Sequence, residues 1–247
     1  MKRILTLFLS LILVITGLFS VKAFAANDND LSNVKAGDTI TLGAFEQDGD
    51  EDNGDEAIEW LVLSVDDSEN KALVISKYGL YLGMYTMEEA PITWEESPIR
   101  EFLNEEFAED IFTEEEYKKI IPTVISNDDH DYGSYSVPGG EDTEDLMFIL
   151  SADEAKEYFP DDESRKCIAT EYALMNDVWV VTEEMVKERP FAYSEDMIGY
   201  STWWLRGPGA SNQCASIVLA DGSIPDYGVF GLSYREVLRP SMWISLD

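Results

Sequence analysis

Residues 57–65 carry apolar side chains on both faces of an extended chain, with Trp60 on one face and Leu61 on the other. Such a stretch must be covered from both sides, so it predicts a central β-strand. A polar turn at residues 66–71 then leads into the apolar residues 72–76. This order predicts an antiparallel hairpin.

Helix starts are predicted where a capping residue precedes an apolar face. Ser97 followed by Pro98 is typical of a first helical turn. Residues 113–116 and 151–154 each place a glutamate three positions after a hydroxyl residue, which is the spacing of a capping box. Between them, the polar residues 127–145 predict a long surface loop. A strand is expected directly after that loop.

The C-terminal third is rich in short apolar stretches separated by turn residues. Asp221-Gly222 predicts a type I′ hairpin turn. Pro240 lacks a backbone N–H, so the strand expected at residues 236–246 should lie at a sheet edge or carry a bulge. Together these elements predict an α+β fold, with an antiparallel sheet and flanking helices in a single domain.

The N-terminus has the three parts of a secretory signal peptide. Lys2 and Arg3 precede a nearly unbroken apolar run, and Ala23 and Ala25 are small residues where a signal peptidase reads. We expect cleavage after Ala25 and a secreted, extracellular protein. An uncleaved anchor is the alternative, because the run is just long enough to span a bilayer. The expected layout is a signal peptide at residues 1–25, a short polar segment at 26–36 and one globular domain at 37–247.

The charge of the chain is strongly negative, with 50 acidic residues against 17 basic ones. Removal of Lys2, Arg3 and Lys22 with the signal peptide leaves 14 basic residues and a net charge of −36. Such a surface repels nucleic acid and anionic membranes, because both are bound by basic patches. We therefore expect neither as a partner after cleavage.

Acidic residues at 48–59 resemble a calcium-binding loop. Asp48, Asp50 and Asp52 occupy alternate positions, and carboxylate oxygens are the ligands that calcium prefers. However, Asn53 stands where an EF-hand loop requires glycine, and Glu59 lies in an expected strand. The favoured interpretation is a hairpin connection with an acidic tip, with a weakly bound calcium ion as the alternative. No other cofactor is expected, since the chain has no phosphate-binding or zinc-binding motif.

Two cysteines, Cys167 and Cys214, remain in the mature chain. Outside the cytoplasm they could form a disulfide, and two free cysteines are an equal alternative.

Three segments resemble an uncharacterised family of bacterial extracellular domains. They are residues 43–60, with Gly-Ala-Phe-Glu-Gln and Ala-Ile-Glu-Trp; residues 202–209, Thr-Trp-Trp-Leu-Arg-Gly-Pro-Gly; and residues 238–244, Leu-Arg-Pro-Ser-Met-Trp-Ile. The resemblance extends over residues 34–247. Gly207 and Ser241 depart from the serine and alanine that are usual in that family.

The C-terminal half of that family is in turn similar to the C-type-lectin-like fold, in the variant of the sulfatase-modifying enzymes. The resemblance implies a scaffold that binds proteins and sugars. The carboxylate-containing triplets of the lectin calcium–sugar site are missing here. The oxidase chemistry is not implied either, because Cys214 stands alone where the enzymes have two cysteines.

The pair Trp203-Trp204 points to a ligand site, because neighbouring side chains of a strand face opposite ways. We expect one of the two indoles to face a groove or the surface, although burial of both is the plainer alternative. The expected ligand-binding residues are Trp204, Arg206, Asn212, Asp221 and Tyr227. Arg206 and Arg239 lie in apolar strands, so we expect each to pair with a carboxylate as a structural ion pair.

Few residues suggest catalysis. His130 is the one histidine, and Ser201 lacks the second glycine of a nucleophile elbow. The sequence therefore favours a non-catalytic module that binds a glycan or a protein at the cell surface. The alternatives are a secreted carbohydrate-active hydrolase with an Asp/Glu pair and a structural module without a small-molecule site.

Overall fold

The computed structural model describes residue 31 and residues 33–86, 91–233 and 235–247. The expected signal peptide lies outside these residues. Within them, no helix has the length and apolar character needed to cross a membrane.

Short strands and short helices alternate along the chain. The strands are β1 Thr39–Phe45, β2 Glu56–Asp66, β3 Lys71–Ser76, β4 Tyr81–Leu82, β5 Ile120–Ile121, β6 Thr123–Ile125, β7 His130–Asp131, β8 Ser136–Val137, β9 Thr143–Asp145, β10 Trp203–Pro208, β11 Cys214–Val218, β12 Val229–Phe230, β13 Val237–Leu238 and β14 Ser241–Ser245. The helices are α1 Pro98–Glu101, α2 Ala108–Ile111, α3 Glu114–Tyr117, α4 Ala152–Tyr158, α5 Asp162–Arg165, α6 Glu171–Met175 and α7 Glu183–Glu188. A π-helical turn at Phe102–Phe107 joins α1 to α2, and a 3₁₀ turn lies at Glu195–Met197.

The first sheet has the order β1-β2-β3-β14-β5, and all of its pairs are antiparallel. Strand β2 lies between β1 and β3, as its two apolar faces predict. Trp60 on this strand is fully buried, and its indole N–H donates to the carbonyl of Leu42 at 2.7 Å. The hairpin of β2 and β3 therefore anchors one wall of the core.

The second sheet has the order β12-β11-β10-β13-β4 and contains one parallel pair, β10 with β13. Two further two-stranded pairs, β6–β9 and β7–β8, are antiparallel. The fold is thus α/β in composition with mostly antiparallel sheets, which agrees with the coarse α+β prediction.

The chain passes from the second sheet to the first at Arg239-Pro240, between β13 and β14. The prediction of an edge or bulged strand was wrong, because β14 lies between β3 and β5. Pro240 lies where the chain crosses between the two sheets, so its missing backbone N–H is not needed for a strand pair. Its carbonyl accepts from the backbone N–H of Ser76 at 2.8 Å.

Arg239 holds this crossing together. Its Nε donates to the carbonyl of Ser76 at 2.8 Å, and its guanidinium lies 5.1 Å from the ring centre of Trp203 and 5.2 Å from that of Phe159. Burial lowers the pKa of Arg239 below its usual value. The expected carboxylate partner was wrong: in the described part of the chain, backbone carbonyls and aromatic rings take its place.

The helix caps follow the sequence signals. Ser97 accepts from the backbone N–H of Arg100 at the start of α1. The capping boxes of α3 and α4 are both present, built on Thr113 and Ser151. Local chemistry therefore sets these boundaries.

Two other local predictions fail. The expected loop at residues 127–145 contains three short strands, whereas residues 146–150 form only an isolated bridge through Phe148. At Asp221-Gly222 only the glycine has a positive φ, of 84°, so the turn is not of type I′. Strand β11 pairs instead with the later β12.

Candidate functional site

Both tryptophans of β10 are completely buried. The indole N–H of Trp203 donates to the carbonyl of Arg165 at 3.0 Å, and that of Trp204 donates to the carbonyl of Gly83 at 2.7 Å. The expectation that one indole faces a groove was wrong, because β10 is a central strand that is covered on both faces. Trp204 packs against Tyr85 at 5.4 Å between ring centres instead of meeting a ligand.

Arg206 is also buried and has only internal contacts. It pairs with Glu154 at 3.0 Å and donates to the carbonyl of Ile149 at 2.7 Å. Its guanidinium lies over the ring of Phe148. The structural ion pair predicted for Arg206 is therefore present, whereas its assignment to a ligand-binding face was wrong.

The other three expected site residues lie nearer to solvent. Asn212 is exposed, and its carbonyl accepts from Ile92 at 2.8 Å. The carboxylate of Asp221 caps its own turn by accepting from Ser223. Tyr227 is 59% exposed. Of the five residues, Asn212 and Tyr227 are thus the exposed ones.

A stack of three aromatic rings lies beside this loop region. The ring of His130 is 4.3 Å from that of Tyr132, and the ring of Tyr132 is 4.9 Å from that of Tyr135. The planes deviate by only 6° and 12°. Tyr135, at one end of the stack, is 51% exposed. We call His130, Tyr132 and Tyr135 the aromatic ladder.

A tight turn brings the rings of the ladder together. Strands β7 and β8 form a hairpin, and Tyr132 donates its backbone N–H to the carbonyl of Tyr135 at 2.9 Å across the two intervening residues. Gly133 has a φ of 76°, which suits glycine, and its N–H donates to Asp131 at 2.6 Å. Both tyrosines therefore project from the same short turn.

The ladder is fixed to the loops that carry the two exposed expected residues. The hydroxyl of Tyr132 donates to the carbonyl of Asp226, and that of Tyr135 donates to the carbonyl of Ala210 at 3.3 Å. His130 Nδ1 lies 3.1 Å from the carbonyl of Pro208. Burial, together with nearby Tyr135 and Asp226, raises the pKa of Tyr132. The three side chains are thus held in fixed orientations by backbone carbonyls of the neighbouring loops.

Comparison of the sequence with family models shows the group to which the chain belongs. Residues 69–246, well over half of the chain, match the model described as Domain of unknown function (DUF6273). The chain belongs to the DUF6273 family. No curated protein and no solved structure matched it. The DUF6273 match includes the ladder and the segments at 202–209 and 238–244, and it begins after the segment at 43–60.

The acidic loop precedes the DUF6273 match. Within the described ranges, carboxylate oxygens of Glu46, Asp48 and Glu56 lie within 4.8 Å of one another, whereas Asp50 and Asp52 are not part of this group. Hydrogen bonds from the Asn53 side chain and the Asp50 backbone lower the pKa of Asp48. Because these carboxylates mainly accept bonds from their own loop, the cluster also has a purely structural explanation.

The two cysteines of this DUF6273 chain are both free. Cys167 is buried, and burial raises the pKa of its thiol. Cys214 is partly exposed in β11. The disulfide alternative is therefore corrected to two thiols.

Proposed function

We propose that this DUF6273 chain is a secreted, non-catalytic module that binds a glycan on the aromatic ladder. The observation that carries the proposal is the stack of near-parallel rings with an exposed face at Tyr135. Aromatic rings offer a flat apolar surface with a polar edge, which suits the apolar C–H faces and hydroxyl rims of sugars.

The fixed orientation of the rings supports this use. A platform whose tyrosine hydroxyls are already bonded to backbone carbonyls loses little conformational freedom when a ligand stacks on it. The exposed side chains of Asn212 and Tyr227 lie on the same loops and offer further contacts.

The negative charge of the chain indicates which kind of glycan it can bind. With 50 acidic residues against 17 basic ones, and with Asp131 and Asp226 next to the ladder, an acidic glycan would be repelled. We therefore propose a neutral glycan. The same charge supports the view that nucleic acid and anionic lipid are not partners.

The proposal includes export and the finer fold assignment. The signal peptide motif supports secretion with cleavage after Ala25. The order of tryptophan strand β10, glycine-containing loop, short strands β11 and β12 and closing strand β14 supports a C-type-lectin-like C-terminal half. N-terminal sequencing of the exported protein tests the first point, since the mature chain should begin at Ala26.

The binding test uses a panel of neutral glycans, followed by calorimetric titration of the best binder. Replacing Tyr135 by alanine removes the exposed ring and should weaken binding about tenfold, because a stacked ring contributes roughly 1–1.5 kcal/mol. Tyr135→Phe keeps the ring and should keep most of the affinity. Phe191→Ala is the matched control, since Phe191 is 89% exposed and lies outside the ladder.

Each outcome bears on the proposal. Equal affinities of the wild type and the Tyr135→Ala variant, at equal melting temperatures, would refute the ladder as the platform. Release of new reducing ends during incubation would favour the alternative of a carbohydrate-active hydrolase that uses an Asp/Glu pair. Binding only to surface proteins would favour a protein partner, and no binding at all would favour a structural module.

A further inference from the structure

A second candidate site lies on a surface excursion of the chain. The two ends of the segment at residues 182–198 are joined by backbone hydrogen bonds. The N–H of Val181 donates to the carbonyl of Tyr200 at 3.0 Å, and the N–H of Gly199 donates to the carbonyl of Val181 at 2.9 Å. The ends of this segment are therefore held close together, as in an Ω-loop, although it also contains helix α7 and the 3₁₀ turn. Between it and the residues before it lies a cleft of about 380 Å³.

The walls of this cleft are aromatic and apolar. The rings of Trp179 and Tyr193 lie 5.7 Å apart and are tilted by 46°. Val178 and Met185 also line the cleft. Neither the indole N–H of Trp179 nor the hydroxyl of Tyr193 has a protein partner within the described ranges. The volume of the cleft lies in the lower part of the range of small-molecule sites, and its lining combines apolar and polar side chains.

Two opposite charges also line the cleft without pairing. Glu188 and Arg189 end helix α7, both are exposed, and neither side chain has a hydrogen bond or an ion pair to another described residue. Arg235, on the far side, is already bound to Asp177. The cleft therefore offers one available cation and one available anion beside an aromatic wall.

The lack of a partner for Arg189 sets it apart from the other arginines of the described chain. The others are held by Asp145 (Arg100), Asp162 (Arg165), Glu154 (Arg206), Asp177 (Arg235) and the carbonyl of Ser76 (Arg239). In so acidic a chain, an arginine without an internal contact is available to a ligand.

We propose that this cleft binds a free α-amino acid with an aromatic or other apolar side chain. The carboxylate of the ligand would pair with Arg189 and its ammonium group with Glu188, while its side chain packs against Trp179 and Tyr193. A simple anion would be opposed by Glu188 and a simple cation by Arg189, so the pair selects a zwitterion. The site is separate from the aromatic ladder and does not depend on glycan binding.

The test is calorimetric titration of the mature protein with L-phenylalanine. The same titration is made with 3-phenylpropionate, which lacks the ammonium group, and with phenethylamine, which lacks the carboxylate. We expect both analogues to bind at least about tenfold more weakly, because each leaves one charged partner unmatched. Titrations with L-leucine and L-tryptophan test how strongly the contact with Trp179 and Tyr193 affects the choice of amino acid.

Three variants complete the design. Arg189→Met and Glu188→Gln should each weaken phenylalanine binding about tenfold or more. Glu188→Gln should strengthen 3-phenylpropionate binding, because Glu188 opposes a ligand that carries only a carboxylate. Lys187→Met is the matched control, because Lys187 lies on the same helix but pairs with Glu183. It should bind phenylalanine as the wild type does.

The result that overturns the proposal is the absence of saturable binding of all three amino acids at concentrations up to about 1 mM. Equal affinity of the wild type and the Arg189→Met variant would also overturn it. The ladder variant Tyr135→Ala should bind phenylalanine normally, so failure of the glycan proposal and failure of this one are distinguishable.

Discussion

Asp145 is a buried carboxylate on which three donors converge, and its removal should strongly destabilise the protein. Its side chain is 0% exposed and accepts from Trp94 Nε1 at 2.8 Å, from Thr143 Oγ1 at 2.8 Å and from Arg100 Nε at 2.6 Å. It ends β9 and thereby ties the region that carries the aromatic ladder to helix α1 and the core.

The size of the effect follows from these contacts. Asp145→Ala leaves the guanidinium of Arg100 without its carboxylate and the buried indole N–H of Trp94 without an acceptor. Because Arg100 is 28% exposed, loss of its carboxylate costs less than the roughly 3–5 kcal/mol of a fully buried pair. The unsatisfied indole N–H of Trp94 adds about 1–3 kcal/mol, so we expect about 4 kcal/mol in total. Asp145→Asn keeps the shape and one acceptor oxygen, so its cost should be smaller, about 2 kcal/mol.

Thermal and urea unfolding of the mature protein measure these values. For a chain of this size, about 4 kcal/mol lowers Tm by roughly 8–16 °C. Asp153→Asn is the control: Asp153 is 96% exposed in a pair with Lys156 at 3.5 Å, and its loss should cost less than about 0.5 kcal/mol. Equal Tm values for the Asp145→Ala and Asp153→Asn variants would refute the reasoning.

Four further measurements test other features. Burial raises the pKa of Tyr85 to about 12, so the stability that its neutral form provides is complete below pH 10 and is lost as the pH rises towards 12. Tyr85→Phe should reduce the alkaline loss of unfolding free energy by about 2–3 kcal/mol; an unchanged profile contradicts this. Gly222→Ala should lower stability by more than about 2 kcal/mol, because φ is +84° and the new Cβ would lie 1.7 Å from a backbone carbonyl oxygen. In the native protein, iodoacetamide should label Cys214 and leave Cys167 unlabelled until unfolding; two cysteines that stay unlabelled after unfolding without a reductant would instead indicate a disulfide. Calcium titration separates the two explanations of the acidic loop: a rise in Tm that Asp48→Asn abolishes would favour an ion site, whereas an unchanged Tm would favour the structural role.

The sequence predicts those parts of the fold that depend on local chemistry. The central position of β2 follows from its two apolar faces, and the starts of α1, α3 and α4 follow from their capping residues. The crossing at Arg239-Pro240 could not be predicted in the same way. Strand β13 has only two residues, and its pairing with β10 and β4 depends on contacts that are distant in the sequence.

The candidate site was harder to predict for the same reason. Residues 132–135, Tyr-Gly-Ser-Tyr, look like part of a polar loop, although a two-residue turn between two tyrosines is a hairpin signal. What fixes the rings are the backbone carbonyls of Ala210 and Asp226, which lie 75 and 94 residues away from their donors. Every residue has a backbone carbonyl, so the residue types at positions 210 and 226 do not indicate these hydrogen bonds.

The use of arginine connects the fold to the second site. The chain has 50 acidic residues against 17 basic ones, and the other arginine of the cleft, Arg235, pairs with Asp177. Among the described residues, Arg189 has no such contact, and this is more informative here than it would be on a surface with balanced charge. Glu188 is its neighbour in the sequence and lines the same cleft, and the two do not pair because adjacent side chains at a helix end point in different directions. A zwitterionic ligand would pair with both side chains at once. The Glu188→Gln variant tests the contact with its ammonium group, and the Arg189→Met variant tests the contact with its carboxylate.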